Sequence, residues 1–151
     1  MSLKRGKMNM FNFEVNGNVL ERAAGVATEA IVPGGITIIG EKAFMYRRRL
    51  EKVVLPEGVT RIEHSAFYSC RDLASLTLPE SLTFIGNSAF KNCESLHDIV
   101  FGGTMAQWKA IEKEGTLCET KAETHPWFEC DWDYYLGAYT VHCVDGDIRN
   151  N

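Results

Sequence analysis

Three prolines, Pro33, Pro56 and Pro79, stand 23 residues apart and then 23 again, and this interval constrains the fold more than any other feature of the chain. Laid over one another, residues 33–55, 56–78 and 79–101 align Ile36, Val59 and Leu82; Thr37, Thr60 and Thr83; and Ile39, Ile62 and Ile85. They also align Ala43-Phe44, Ala66-Phe67 and Ala89-Phe90, and then Leu50, Leu73 and Leu96. Nine of 23 positions are identical between the first and second units and nine between the second and third, so the repeat is not accidental. What repeats is mostly apolar. Each unit therefore reads as one coil of a solenoid, too small to fold alone, whose inward residues stack on the same residues of the next coil.

Within a unit, Leu73-x-x-Leu76-x-Leu78 has the L-x-x-L-x-L spacing of a leucine-rich repeat strand. Leu50-x-x-Val53-x-Leu55 and Leu96-x-x-Ile99-x-Phe101 keep it, and Ala27-x-x-Ala30-x-Val32 falls in the same register one period earlier. The spacing predicts four parallel strands joined by crossovers too short for a long helix. The rest of each unit predicts a turn at proline, a short strand such as Val59-Thr60-Arg61-Ile62, and one helical turn carrying Ala66-Phe67. Phe44, Phe67 and Phe90 are expected to form a ladder through the core, each ring worth roughly 1.5–3 kcal/mol by buried area.

The run Leu78-Pro79-Glu80-Ser81-Leu82-Thr83-Phe84-Ile85-Gly86-Asn87-Ser88-Ala89-Phe90-Lys91-Asn92-Cys93-Glu94-Ser95-Leu96 resembles the motif of the bacterial BspA-like leucine-rich repeat family. The resemblance extends over residues 11–148; Arg47 departs from it where Cys70 and Cys93 stand, and Glu63 where Gly40 and Gly86 stand. It implies a short right-handed leucine-rich repeat solenoid with a parallel β-sheet. It also implies a non-enzymatic, extracellular or cell-surface adhesin or antigen that binds a protein or a glycan, with no cofactor and no catalytic residues to carry over.

The expected organisation is a leader at residues 1–10 outside the fold, a hairpin cap at 11–26, repeats at 27–101 and a C-terminal cap at 102–151. A solenoid exposes core at both ends and needs lids. Phe11, Phe13 and Val15 alternate with polar residues, and Asn16-Gly17 is a strong hairpin signal. At the other end, Thr104 and Gln107 predict a capping box opening a helix through Glu114, with Met105, Trp108 and Ile111 facing the last coil. Farther on, Trp127, Phe128, Trp132, Tyr134, Tyr135 and Tyr139 crowd 13 residues. They read either as a plug for the core or, for Trp127, Trp132, Tyr134 and Tyr135, as a sugar- or peptide-binding platform.

Each repeat strand also turns two side chains outward. One row is Glu29, Lys52, Ser75, Asp98; the other is Ile31, Val54, Thr77, Val100, β-branched throughout. The pattern fits first plain strand-forming sequence and, as the functional alternative, the floor of a concave binding face. Four strands spaced about 4.8 Å and about 17 Å long offer only roughly 300 Å², against about 800 Å² per partner in a standard interface.

Little else points to chemistry. The net charge of -4 argues against a nucleic-acid reader, Arg47-Arg48-Arg49 with Lys52 reading as a solvated basic corner. No apolar run reaches the roughly 20 residues of a membrane-spanning helix, and no export leader is expected from residues 1–10. Cys70, Cys93, Cys118, Cys130 and Cys143 are odd in number and lack a C-x-x-C pair, so Cys70 and Cys93 are expected as buried thiols. His125, Cys118, Cys130, His142 and Cys143 lack the tight ligand pairs of structural zinc, and no metal is expected. Phosphate loops, nucleophile elbows and H-E-x-x-H are missing, leaving His142 with neighbouring acids as a remote enzymatic option. The alternative to a binding module is a structural one that spaces or assembles copies of itself into a homo-oligomer.

Overall fold

A computed structural model describes residues 11–114 and 139–150. The chain winds as a solenoid with two six-stranded sheets on different sides of one core. Each 23-residue unit gives one strand to each sheet: β4 (Ile38–Ile39), β6 (Arg61–Ile62) and β8 (Phe84–Ile85) to the first, and β5 (Lys52–Val54), β7 (Ser75–Leu78) and β9 (Asp98–Phe101) to the second. All these neighbours are parallel, with partners one period apart, such as Val53 on Leu76 and Leu76 on Ile99. The weaker alanine register at residues 27–32 is indeed a strand: β3 (Glu29–Ile31) pairs with β5, and Ala30 is buried. Small side chains suffice there because β3 forms the sheet edge.

The third side of each coil is built of tight turns rather than an α-helical turn. In the middle coil the N–H groups of Ala66, Tyr68 and Cys70 donate three residues back, to the carbonyls of Glu63, Ser65 and Phe67. The alternate N–H groups of Ser65, Phe67 and Ser69 donate outward to Asn87, Ala89 and Lys91 of the next coil, at 2.8–3.0 Å. A helix would spend those donors on itself. Turning them along the stack requires left-handed residues, and Lys42, Tyr46, Ser65, Ser69, Ser88 and Asn92 all have φ between 55° and 63°. The coils are thus bonded backbone to backbone on three sides. At the centre, Phe67 stacks on Phe44 at 4.8 Å and on Phe90 at 5.3 Å, with the rings within 11° of parallel. The expected ladder is present.

At the N-terminal end, β1 (Asn12–Asn16) and β2 (Val19–Ala24) form an antiparallel hairpin whose second strand pairs in parallel with β4. Its two-residue loop is Gly17-Asn18, one position later than the Asn16-Gly17 signal suggested. Gly17, at the first central position, takes the positive φ of 62° that such a turn requires. Phe11 and Phe13 meet the ring of Phe44 edge-on and end the ladder. Arg47 stands in the thiol position of this first coil. Its Nε donates to the carbonyl of Ala23 at 2.6 Å, whereas the thiols of Cys70 and Cys93 donate to the carbonyls of Phe44 and Phe67. In both versions a side-chain donor ties one coil to the backbone of the previous one.

At the other end, α1 (Met105–Ala110) opens with the expected capping box: the Gln107 N–H donates to Thr104 Oγ1 and the Thr104 N–H to Gln107 Oε1. Trp108 and Ile111 are buried, and Trp108 meets Phe101 edge-on at 5.4 Å. The helix stops at Ala110, short of the expected Glu114, because Glu112 and Lys113 form β10 (Glu112–Lys113) and pair in parallel with β8. The N–H groups of Glu112 and Glu114 there satisfy the carbonyls of Thr83 and Ile85, which a continued helix would leave unpaired. In the second sheet β11 (Tyr139–Cys143) follows β9 in parallel, and β12 (Gly146–Asn150) folds back on it antiparallel.

Candidate functional site

The outward rows inferred from the repeat lie where the period put them. Backbone pairing aligns Glu29, Lys52, Ser75 and Asp98 in one row and Ile31, Val54, Thr77 and Val100 in the other, while Ala30, Val53, Leu76 and Ile99 between them are buried. The second row presents apolar surface to solvent: Ile31 is 69% exposed and Val100 42%, with Val54 and Thr77 half-buried.

Both rows continue past the repeats. Thr140 extends the first beside Asp98, His142 extends the second beside Val100, and β12 adds Arg149 and Asp147 opposite them. Periodicity could not find these residues, because the step from β9 to β11 is not 23 residues. The signal that could have found them is the alternation of apolar Tyr139, Val141 and Cys143 with polar Thr140 and His142. The inward trio packs on the core and the outward pair does not.

His142 organises this end of the face. Its Nε2 lies 3.0 Å from Asp98 Oδ1 and its Nδ1 3.1 Å from Asp147 Oδ1, so the ring bridges β9, β11 and β12. The bond to Asp98, and after it the bond to Asp147, hold the imidazole above its ordinary pKa of 6.5. His97 Nε2 approaches the other oxygen of Asp98 at 3.3 Å. With both ring nitrogens facing carboxylates, His142 acts as a clasp across the three strands, tightest when the imidazole is protonated. Among the described residues no group of three or more His, Cys, Asp or Glu side chains is arranged to hold a metal ion. Trp127, Trp132, Tyr134 and Tyr135, and with them Cys118, His125 and Cys130, lie outside the described residues.

A stack of short parallel strands at a leucine-rich period, with an open β-face, defines a leucine-rich repeat protein. Residues 26–114 match the model of the BspA type leucine-rich repeat region, in six copies, and the chain belongs to that family. A leucine-rich repeat protein from Bacteroides capillosus is 26% identical, with a TM-score of 0.59 over 88% of this chain and 91% of that one. The Treponema pallidum (T. pallidum) leucine-rich repeat protein is 27% identical, with a TM-score of 0.53 over 66% of this chain. A third, from Eubacterium ventriosum, is 26% identical with a TM-score of 0.53 over 62% of this chain. The chain spans 53% of the length of the Treponema protein and 27% of the Eubacterium protein. No curated protein matches the chain. Among the described residues, no helix is long and apolar enough to cross a membrane.

Proposed function

We propose that this chain is a non-enzymatic recognition module, displayed at the cell surface, that binds a protein or glycan partner through the outer face of the sheet containing β5, β7 and β9. One observation carries the reading: five consecutive parallel strands bring Ile31, Val54, Thr77, Val100 and His142 into a single register-matched row, bordered by a row of polar and charged residues. Membership in the BspA-type family supports it, since that resemblance implies surface proteins that bind. The open sheet also supports it, since β-branched side chains at fixed spacing offer rigid contact area at little entropic cost.

Size bounds the affinity. Six strands at about 4.8 Å with a few outward residues each still offer well under the roughly 800 Å² per side of a standard interface. The face alone supports weak adhesion, which copies of the chain on one surface would raise by avidity. The test is capture on an array of glycans and matrix proteins by the chain and by a Val54→Lys, Thr77→Lys variant. The variant is expected to lose every specific capture while keeping a cooperative thermal transition, its melting temperature lowered by a few degrees because two lysines then face each other across β5 and β7 at half-buried positions. Unaltered capture by a folded variant rejects the face as the binding site.

A further inference from the structure

A pocket of about 190 Å³ lies at the other end of the solenoid, where the N-terminal hairpin crosses to β3. Val26, 71% exposed, gives it an apolar part beside the edge of Phe11, and Tyr46, Arg47, Arg48 and Arg49 line it from the first coil. We propose that this pocket binds an anionic sugar unit, a hexose ring carrying a carboxylate or a sulfate. The site is separate from the outer face and does not depend on its being a binding surface.

The repeat itself separates what the coil needs from what has been added. At the positions of Tyr46-Arg47-Arg48-Arg49 the second coil has Ser69-Cys70-Arg71-Asp72 and the third Asn92-Cys93-Glu94-Ser95. Neither carries an aromatic residue or a run of cations, so the stacking geometry demands neither. Tyr46 also sits at φ 63°, where the equivalent coils place Ser69 and Asn92. A left-handed conformation is costly for a bulky side chain, and such a cost is retained where the side chain has a task. The ring meets Tyr68 of the next coil edge-on at 5.8 Å and still leaves 52% of the residue exposed, outside the core.

Charge points the same way. The chain carries a net charge of -4, yet among the described residues none of the ion pairs involves Arg47, Arg48 or Arg49. Arg47 is fixed by its bond to the Ala23 carbonyl, and the Arg48 guanidinium lies 6.0 Å from the Tyr46 ring centroid. Arginines lining one pocket suit the paired oxygens of a carboxylate or sulfate. The volume falls below the roughly 300–1,000 Å³ of drug-sized sites, which limits the occupant to about one ring. An acidic peptide side chain would satisfy the arginines but leave the Tyr46 face and the apolar part of the pocket uncovered. A charged sugar ring uses all three.

The test is calorimetric titration of the full chain with trigalacturonate and with N-acetylglucosamine 6-sulfate, against cellotriose as the neutral sugar and triglutamate as the acidic peptide. Two variants borrow residues from the other coils: Arg48→Glu with Arg49→Ser, and Tyr46→Ser. At least one anionic sugar is expected to bind while cellotriose and triglutamate do not. The double variant is expected to weaken that binding by about tenfold or more, equivalent to about 1.4 kcal/mol. Tyr46→Ser, the residue the second coil carries at this position, should weaken it as well while keeping a cooperative thermal transition. Should the double variant lose its thermal transition, Arg49→Ser alone replaces it. The proposal is overturned if neither anionic sugar binds, if cellotriose or triglutamate binds as well as they do, or if the folded arginine variant binds them unchanged.

Discussion

Each phenylalanine of the ladder does its work through its neighbours. Phe67 is the middle ring, stacked on both sides, whereas Phe90 stacks on Phe67 alone within the ladder. Truncating Phe67 to Ala removes a fully buried ring and leaves a cavity that coils bonded on three sides cannot collapse to fill, at a cost of about 3–5 kcal/mol. Urea denaturation of Phe67→Ala should give a loss in that range, exceeding the loss for Phe90→Ala; equal losses would mean the stacks contribute nothing beyond burial. The thiols of Cys70 and Cys93 obey the same geometry. Both are buried and free. Hydrogen bonding with Cys70, and burial after it, hold the Cys93 thiol well above its ordinary pKa of 9.0. A thiol reagent that attacks thiolate should leave both untouched in the native protein at neutral pH and reach both once the chain is unfolded. Prompt labelling of either in the native state would contradict this packing.

Among the elements, the closing hairpin of β11 and β12 is held to the last repeat strand by a titratable group. Because the folded state raises the His142 pKa above 6.5, the clasp contributes its full stability below that value and loses it as pH rises through the raised one. The melting temperature is therefore expected to be higher at about pH 5.5 than at about pH 8, with the difference reduced in His142→Gln. An unchanged pH profile in the variant would remove His142 as its cause. This clasp also marks where sequence reading stops. The eight outward residues from Glu29 to Val100 were legible because an exact period transfers one strand's register to the next. His142 was not, because the segment between β9 and β11 breaks the period. The turn run was hidden for a different reason: Lys42, Ser65 and Ser88 adopt left-handed backbone without the glycine that usually announces it. Likewise β10 owes its existence to the open edge of β8, since Glu112 and Lys113 carry little strand preference of their own.

For the whole molecule, the consequence of stacking is that stability is shared between nearest neighbours, coil by coil. The middle coil, with β6 and β7, is bonded above and below on all three of its sides. The ends differ: β3 pairs on one side only, and β12 pairs with β11 alone. Opening of an end coil breaks one interface, whereas opening of the middle coil breaks two, so local fluctuations should begin at the ends and the centre should open only with the whole chain. Native-state hydrogen exchange is the direct measurement. The amides of Phe67 and Ser75, bonded across coils to Ala89 and Glu51, are expected to exchange with the free energy of global unfolding. Those of Arg149 and other β12 residues should exchange faster by at least about tenfold, equivalent to about 1.4 kcal/mol. Should the pH-dependent clasp govern that end, protection in β12 would fall between about pH 5.5 and pH 8 after correction for intrinsic rates, while protection at Phe67 stayed fixed by the centre of the stack. Uniform protection from β3 to β12 would instead make the chain a single cooperative unit, with no weak end for the outer face to move on.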